Sequence, residues 1–416
     1  YLEIDLQVIL SFHLTIKYTL INMLSDNNTE RLLEEAKLLV PYLTDLYSKT
    51  EKSRKMLSEV EQSFRNKGFF KLMQPKHYGG HEKDHLMLIE MGALIAQGCP
   101  SSAWVFSNLA IHSSILGYFE KQAQDDVWKC NPDNLICMSV VYSAGTAKEV
   151  DGGYILSGDW PFCSGIDNSQ WNIVAAEVNN NGVGQPNEKR LFLVPQNDYI
   201  ILDNWDSFGL SGTGSHNVKM DNVFVPRHRS LSELDTRNGA SPGTSLNKSP
   251  VFRLPMQAIS STAMAGVSWG TAIGALNYFI ENTKNKVSTY SGERVTDLQN
   301  LQIHISNSSA KIDTAGLVLR TSTAEALKIA ESNELPSESV KVKWRRDCAF
   351  AVRLCNEAIT TLFEASGGSA LFNKNQMSRY FRDIKAISSH IAYNTDVSGI
   401  NYGSHRLGLK DNEIDF

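Results

Sequence analysis

Hydrophobic and polar residues follow a helical period through the first third of the chain. The stretch "SDNNTERLLEEAKLLVPYL" opens with residues that favour a helix N-terminus, and its apolar positions then recur every three or four residues. The same spacing continues over residues 52–68, 84–98 and 101–118, with interruptions at "PKHYGG" and "GCP". We therefore predict an N-terminal helical domain over residues 23–130.

The pattern changes between about residues 134 and 226, where short β-type runs replace the helical spacing. Turns containing Gly, Asn and Pro separate the runs "LICMSVVY", "GGYILSG", "WNIVAAEV", "RLFLVP" and "NVKMDNVFVP". They predict a central antiparallel β-barrel or sandwich over residues 131–236. A linker rich in Gly, Ser and Pro follows at residues 237–250.

Helical periodicity returns after the linker, from Phe252 to about Ser398. The predicted helices have broad apolar faces and cover residues 252–288, 296–331, 337–365 and 376–398. They indicate a C-terminal four-helix bundle over residues 251–416. The expected fold class is α+β, with a helical domain, a β domain and a helix bundle in that order.

The first 22 residues, "YLEIDLQVILSFHLTIKYTLIN", do not fit this organisation. Their apolar run is interrupted by Glu3, Asp5, His13 and Lys17, so it is too polar for a membrane-spanning helix of about 20 apolar residues. A secretory signal needs a basic start and a small-residue cleavage site, and this segment has neither. We expect the natural start to be Met23 and residues 1–22 to be a non-native or disordered extension.

Composition narrows the possible functions. Hydrophobic residues make up 42% and charged residues 20% of the 416 positions, as in ordinary globular proteins, and the formal net charge is −5. A negative net charge argues against nucleic acid as a partner, and nothing indicates a membrane role. The six cysteines form no CxxC pair, which favours free thiols in a reducing cytoplasm.

Several candidate motifs have ordinary structural interpretations. His77, His81 and His85 lie four residues apart, but the glycines of "HYGGHEKDH" disfavour the helix that would align them as metal ligands, so we expect no metal. The Gly-rich stretch "GLSGTGS" precedes a strand pattern and reads as a tight turn, since a dinucleotide loop would open a helix. His112 and His390 lie on apolar helical patterns, where a lone histidine is more often a core residue.

The segment "DWPFCSGIDNSQW", residues 159–171, is the most unusual stretch of the chain. Two tryptophans and a phenylalanine surround a Cys-Ser-Gly step, so that small polar groups lie among large aromatic side chains. Aromatic side chains bury large areas, and a plain core strand is one interpretation. A wall against which the protein holds a flat ligand is the other.

Together these motifs resemble a known superfamily. The order of the three parts, "HYGG", "GYILSG" and "FRDIKA" resemble the acyl-CoA dehydrogenase superfamily. More narrowly, "SSAWVFSNLAIHSSILGYF", "WPFCSGIDNSQW", "FGLSGTGSHNV" and "FRDIKAISSHIAYN" are similar to the oxygenase components of two-component flavin-dependent monooxygenases of the p-hydroxyphenylacetate hydroxylase type. The likeness covers residues 28 to 409, with the motifs in consistent order.

The resemblance implies a reaction and its partners. Reduced FMN or FAD arrives from a separate NAD(P)H:flavin reductase and binds between the β domain and the helix bundle. Oxygen adds at flavin C4a, a dry pocket protects the hydroperoxide, and its distal oxygen is transferred to a small phenolic or other aromatic substrate. The family also implies a homotetramer.

The same resemblance implies which residues line the flavin. Trp104 lines the flavin site, and Trp160 and Phe162 shape its hydrophobic face. Cys163 or Ser164 presents a polar group to flavin N5; relatives usually have two serines here, and a thiol is the weaker donor.

Further residues are implied to contact the substrate and the flavin phosphates. His112 and Ser139 match positions that contact a phenolate, and His390 matches a histidine that accepts a phenol proton or holds the terminal peroxide oxygen. Arg294, in "YSGERVTDLQNLQ", matches a position that reaches flavin phosphate across a subunit interface. Gly367 and Gly368 would let the backbone approach a phosphate, although a helix-ending turn explains them equally well.

Three alternatives remain open at this point. An acyl-CoA dehydrogenase or oxidase with permanently bound FAD would need a carboxylate base, and no glutamate occurs between Glu364 and Glu413, where many relatives carry one. Relatives that oxidise sulfur heterocycles or the amine of nucleotide-linked sugars share the motifs. A catalytically silent scaffold that keeps the fold without flavin is the third.

Overall fold

A computed structural model of the chain describes residues 26–179, 187–237, 239–284, 286–287, 292 and 294–409. The N-terminal extension predicted for residues 1–22 lies outside the described residues. Helices open and close this part of the chain and one sheet lies between them in sequence, as predicted. Within it, no helix combines the length and apolar character that a membrane crossing requires.

From residue 26 onward, the N-terminal part contains five α-helices. They are α1 (Asn27–Ser53), α2 (Ser58–Asn66), α3 (His85–Gly98), α4 (Pro100–Leu116) and α5 (Lys121–Trp128). Asp26 caps α1 by accepting hydrogen bonds from two backbone amides of its first turn. Helix α4 is apolar on all sides, and every one of its residues except Asn108 is buried, which makes it the central helix of this part.

An eight-stranded sheet follows. Its strands are β1 (Ile136–Ser139), β2 (Gly145–Val150), β3 (Gly153–Cys163), β4 (Trp171–Val178), β5 (Glu188–Pro195), β6 (Ile200–Leu202), β7 (His216–Pro226) and β8 (Ser230–Ser232). The order is β6-β7-β3-β2-β4-β5-β8, with β1 beside β4. The long pairs β3/β7 and β4/β5 are antiparallel, as predicted, whereas β1 and β2 both run parallel to β4.

The described residues of the C-terminal part contain six α-helices. They are α6 (Met256–Met264), α7 (Gly266–Lys284), α8 (Gln299–Glu331), α9 (Glu338–Ala365), α10 (Gln376–Ser388) and α11 (Thr395–Arg406). The four predicted helices are present, but the first is broken at Ala265 and the last ends at Ser388. At the first break Gly266 packs so tightly on α3 that an added Cβ would lie 2.6 Å from the Ile89 carbonyl oxygen. The close approach of two backbones there explains why the helix does not run straight through.

Two hydrophobic cores hold the chain together. The larger core runs without interruption from the N-terminal helices into the C-terminal helices, and α4 lies within it. The smaller core fills the sheet and includes Trp160 and Cys163. The end of β3 therefore lies between the β core and α4, where the candidate site is found.

Candidate active site

Trp104, on α4, joins the elements that build the site. Its indole N–H donates a hydrogen bond of 3.1 Å to the Ser164 hydroxyl, which follows the last residue of β3. Its ring meets the His390 ring edge-on, with 5.9 Å between the centroids. Three residues expected to act together thus lie together, although they are far apart in sequence.

The backbone at the end of β3 has an unusual conformation. The register between β3 and β7 shifts between Trp160 and Cys163, and Phe162 adopts a left-handed conformation with φ of 61°. The Phe162 side chain is 65% exposed and faces the Trp205 ring edge-on at 6.5 Å. A strained non-glycine residue that exposes an aromatic ring is costly for stability alone, and such residues concentrate at functional sites.

Gly165 lets this strand end approach α4. A Cβ added to Gly165 would lie 2.9 Å from a methyl carbon of Val105, and its φ of 77° disfavours any side chain. Only glycine therefore permits the contact that brings Ser164 to Trp104.

Cys163 and Ser164 point in different directions. The Cys163 thiol is fully buried in the β core, where it contacts the Trp160 carbonyl oxygen at 3.5 Å and the Asn172 side-chain amide at 3.9 Å. Ser164 faces Trp104. Of the two residues left open by the sequence, Ser164 is the one whose side chain contacts Trp104.

Trp160 does not fit the role expected for it. Its ring is fully buried in the β core, and its indole N–H donates to the Ala175 carbonyl at 2.6 Å. Between the two aromatic residues, Phe162 alone presents a ring at the surface.

A row of hydroxyl groups continues from Ser164 into the loop before β7. The Ser164 and Ser215 hydroxyl oxygens are 2.8 Å apart, and those of Ser215 and Thr213 are 2.7 Å apart. The Thr213 hydroxyl donates to the Leu210 carbonyl at 2.8 Å. Leu210, with φ of 52°, is a second non-glycine residue in the left-handed region. The site is thus flanked by two strained residues.

Asp383 fixes this loop to the C-terminal helices. Its buried carboxylate accepts hydrogen bonds of 2.6 Å from the Leu210 N–H and from the Tyr47 hydroxyl. Burial raises the pKa of Asp383 to about 6, although both hydrogen bonds favour the ionised form. Gly209 packs on the α10 backbone, where an added Cβ would lie 2.0 Å from the Arg382 carbonyl oxygen. The "FRDIKA" motif therefore holds three parts of the chain together at the edge of the site.

His390 lies after α10, and the expectation that it sits within a helix was wrong. Helix α10 ends at Ser388, and the ring nitrogen Nδ1 of His390 accepts the Ala392 N–H at 3.2 Å, capping a short turn. The residue is exposed, yet the surrounding protein desolvates its ring and lowers the pKa of the imidazole. Since Nδ1 is an acceptor in this neutral ring, the proton resides on Nε2, which is a donor.

His112 shows the opposite arrangement. Its Nδ1 lies 3.0 Å from the Ile136 carbonyl, so Nδ1 carries the proton and Nε2 is an acceptor. Burial lowers the pKa of His112 to about 4, which keeps the ring neutral at physiological pH. His112 lies two helical turns beyond Trp104 on α4, about 12 Å along the axis. The Ser139 hydroxyl, at the end of β1, donates to the Pro161 carbonyl at 2.7 Å.

Arg294, Gly367 and Gly368 form a second group. Arg294 is exposed and directly precedes Val295, which lines a cleft of about 130 Å³ between the C-terminal helices. Ser366, Ser369 and Lys286 line the same cleft. An added Cβ on either glycine would meet nothing within 4 Å, and the φ of Gly367 is 70°. The backbone of the glycine pair is therefore accessible beside a cleft that is lined by the positively charged Lys286 side chain.

Metal binding finds no support in the histidine triplet. His77 lies in the short turn Lys76–Tyr78 and is exposed, whereas His85 begins α3 and is buried. Among the described residues, no group of three His, Cys, Asp or Glu side chains is placed to hold a metal ion.

Thr213, Ser215 and Asp383 are not predicted as site residues by the sequence. They lie in the motifs "FGLSGTGSHNV" and "FRDIKAISSHIAYN". The sequence signal for Thr213 and Ser215 is the presence of hydroxyl groups at alternate positions of a loop. They face a second motif, which contains the buried Ser164. Their meaning depends on contacts between segments that are 51 residues or more apart.

Comparison with known proteins is consistent with this geometry. Residues 262–395 match the family model of the acyl-CoA dehydrogenase C-terminal domain. The chain is 32% identical over 372 residues to the flavin-dependent monooxygenase oxygenase subunit HsaA of Rhodococcus jostii (strain RHA1), an alignment that covers 89% of this chain and 97% of that protein. It is 31% identical to the oxygenase component of an FADH2-dependent resorcinol hydroxylase from Rhizobium sp. (strain MTP-10005), covering 87% and 90% of the two chains.

A solved structure agrees with these relatives. XiaF from Streptomyces sp., in complex with FADH2 and glycerol, superposes with a TM-score of 0.85 at 28% identity, covering 92% of this chain and 96% of that chain. The architecture and the matched C-terminal domain define an acyl-CoA dehydrogenase-like protein. The chain belongs to the family of flavin-dependent monooxygenase oxygenase components.

Proposed function

We propose that this oxygenase component uses reduced flavin and O2 to hydroxylate a phenol, and that the cluster of Trp104, Ser164 and His390 is its flavin-facing site. The observation that carries the proposal is the contact of Trp104 with both Ser164 and His390, beside the exposed ring of Phe162. A flat apolar surface with few polar groups at fixed positions suits a cofactor ring.

Residues of this chain fit a reduced flavin. Phe162 offers an exposed aromatic face, and Phe208 and Ile391 are exposed apolar residues in the segments that contain Leu210 and His390. Ser164 offers one hydroxyl at a position that is held by Trp104 and Ser215. Reduced flavin supplies, when bound, the electrons that activate oxygen.

His112 and Ser139 would hold the substrate. The protons of His112 Nδ1 and of the Ser139 hydroxyl are both given to backbone carbonyls, so both residues present acceptor atoms. A phenol that enters with its proton can donate it to one of these two acceptors. His112 Nε2 would then accept that proton as the ring is activated.

His390 has the complementary role. Its Nε2–H is a donor in the neutral ring, and its edge-on contact with Trp104 holds it beside the site. We assign to it the hydrogen bond that supports the oxygen being transferred. The two histidines thus divide donor and acceptor functions.

The second group of residues bears on assembly. Arg294, the backbone at Gly367 and Lys286 would bind the flavin phosphates, which explains an open glycine pair beside a cationic cleft. The residues would serve a neighbouring subunit's flavin in a homotetramer. A separate NAD(P)H:flavin reductase completes the system, and six free cysteines fit a reducing cytoplasm.

Product analysis with labelled oxygen tests the proposal. The purified chain is supplied with FAD or FMN, NADH, a flavin reductase and a panel of phenols that includes resorcinol and p-hydroxyphenylacetate, under isotopically labelled O2. We expect one labelled oxygen atom in a hydroxylated product. Products without label would refute oxygen transfer from O2, and bleaching of bound oxidised flavin by an acyl-CoA thioester would indicate dehydrogenation instead.

A further inference from the structure

The hydroxyl row behind Ser164 has a defined direction because both of its ends are fixed. At one end the Trp104 indole N–H can only donate, and it donates to the Ser164 oxygen. At the other end the Leu210 carbonyl can only accept, and at 2.8 Å it accepts the Thr213 hydroxyl proton.

The protons between these ends follow from the distances. Thr213 has given its proton to Leu210, so across the 2.7 Å contact Ser215 must donate to Thr213. Ser215 then has no second proton, so across the 2.8 Å contact Ser164 must donate to Ser215. While Thr213 donates to Leu210, the opposite direction would place two oxygen lone pairs against each other at 2.7 Å. All hydroxyl protons therefore point away from Trp104.

The Leu210 carbonyl that sets this direction is firmly held. It also accepts the Thr213 N–H at 3.1 Å and the Trp205 indole N–H at 3.1 Å. The Leu210 N–H is bound to the buried Asp383 carboxylate on α10. Since the carbonyl cannot donate and cannot easily turn away, the row cannot reverse without loss of a buried hydrogen bond.

This direction leaves Ser164 with one remaining lone pair and no free proton. A hydroxyl has one donor and two acceptor sites; Ser215 takes the donor and Trp104 occupies one acceptor site. A ligand at Ser164 must therefore donate. In a flavin the N5 atom carries a hydrogen when reduced and only a lone pair when oxidised.

We propose that Thr213 and Ser215 are positioning residues that hold the Ser164 hydroxyl as an acceptor, so that the site favours reduced over oxidised flavin. The inference rests on the proposed function, with Ser164 as the residue that meets flavin N5, the atom at which the family resemblance implies a polar group. It gives the oxygenase component a built-in preference for the form that the reductase delivers. It also favours release of the oxidised form after turnover.

Equilibrium binding to the wild-type chain and to variants tests the inference without turnover. The dissociation constants of oxidised FAD and of anaerobic, dithionite-reduced FAD are measured by fluorescence quenching and absorbance. Ser215→Ala and Thr213→Val both release the Ser164 proton for donation to oxidised N5. We expect the ratio of oxidised to reduced dissociation constants to fall about tenfold in each, the scale of one buried hydrogen bond.

Conservative and distant variants serve as controls. Ser215→Thr keeps a hydroxyl in the row and should keep the wild-type ratio. Ser268→Ala and Thr271→Val each remove a fully buried hydroxyl of α7 that donates to a preceding backbone carbonyl, and they should also keep the ratio. These controls separate the direction of the row from a general loss of packing.

The outcomes distinguish the two proposals. A wild-type chain that binds neither form of FAD at Ser164, judged by no loss of affinity in Ser164→Ala, would overturn the proposed function and this inference with it. A wild type that prefers reduced FAD, together with Ser215→Ala and Thr213→Val that keep the same ratio within about twofold, would overturn the inference alone.

Discussion

Replacing Asp383 by Asn tests whether burial or hydrogen bonding has the larger effect on the pKa of the Asp383 carboxyl group. This group joins α1, the loop before β7 and α10. The carboxylate accepts two hydrogen bonds of 2.6 Å, which favour the ionised form, but complete burial opposes it and raises its pKa to about 6. Asparagine has the same shape and can still accept the Leu210 N–H. Its amide N–H can donate to the Tyr47 oxygen. The variant should therefore fold.

The sign of the effect follows from the raised pKa. The folded state binds the Asp383 proton more tightly than the unfolded state, so the stabilising contribution is full below about pH 4 and is lost as pH rises through about 6. The difference between about 6 and the ordinary value of 3.8, at about 1.4 kcal/mol for each unit of pKa, is about 3 kcal/mol. Relative to the Asn variant, the wild type should lose about this much stability between pH 4 and pH 8.

Urea unfolding of both proteins at several pH values between about 4.5 and 8 measures this difference. Other titrating groups are shared by the two proteins and largely cancel in the comparison. A difference that does not change with pH would refute the reasoning. A difference that grows in favour of the wild type as pH rises would show that the hydrogen bonds from Tyr47 and Leu210 outweigh burial and hold the pKa of Asp383 below its ordinary value.

Three further predictions concern the site residues. Ser164→Ala should weaken binding of reduced flavin about tenfold. Cys163→Ser should change the affinity by no more than about twofold because the thiol faces the β core. Equal effects in flavin titrations of the two variants would contradict the assignment of Ser164 to the flavin site. His390→Asn should fold and bind reduced flavin, but hydroxylation should fall by about 10²-fold. Oxygen consumption should continue, with the oxygen released as hydrogen peroxide. If an oxygen electrode and product analysis show near-normal coupling of oxygen use to product, His390 has a structural role. Arg294→Ala should weaken flavin binding about tenfold without unfolding the chain. If light scattering shows a monomer and this monomer is fully active, both the proposed tetramer and the phosphate-binding role of Arg294 are wrong.

Long, strongly patterned elements were predictable from the sequence. The runs that became β1, β3, β4, β5 and β7 alternate or are continuously apolar, and the structure contains a strand at each. Strand β2, "GTAKEV", was missed because it is short and polar, with alternating exposed positions. Strands β6 and β8, with three residues each, carry too little pattern to detect.

Helix ends near the site were less predictable because tertiary contacts decide them. The apolar pattern runs on from α10 through "ISSHIAYN", yet the helix ends at Ser388. There the Ser388 and Ser389 hydroxyls bond back to the carbonyls of Ile384 and Lys385, and Asn394 caps α11. These local bonds compete with continued helix, and they leave His390 in a turn. The sequence predicts His390 as a site residue, and the donor role proposed for it depends on this turn.

The choice between Cys163 and Ser164 shows why side-chain direction was hidden from the sequence. In a regular strand Trp160, Phe162 and Ser164 would share one face and Cys163 the other. In the structure Trp160 and Cys163, three residues apart, both enter the β core, which requires the irregular register between them. The left-handed conformation of Phe162 absorbs this irregularity and turns its ring outward. After Phe162 the adjacent side chains of Cys163 and Ser164 diverge, so the thiol enters the β core while the hydroxyl contacts Trp104.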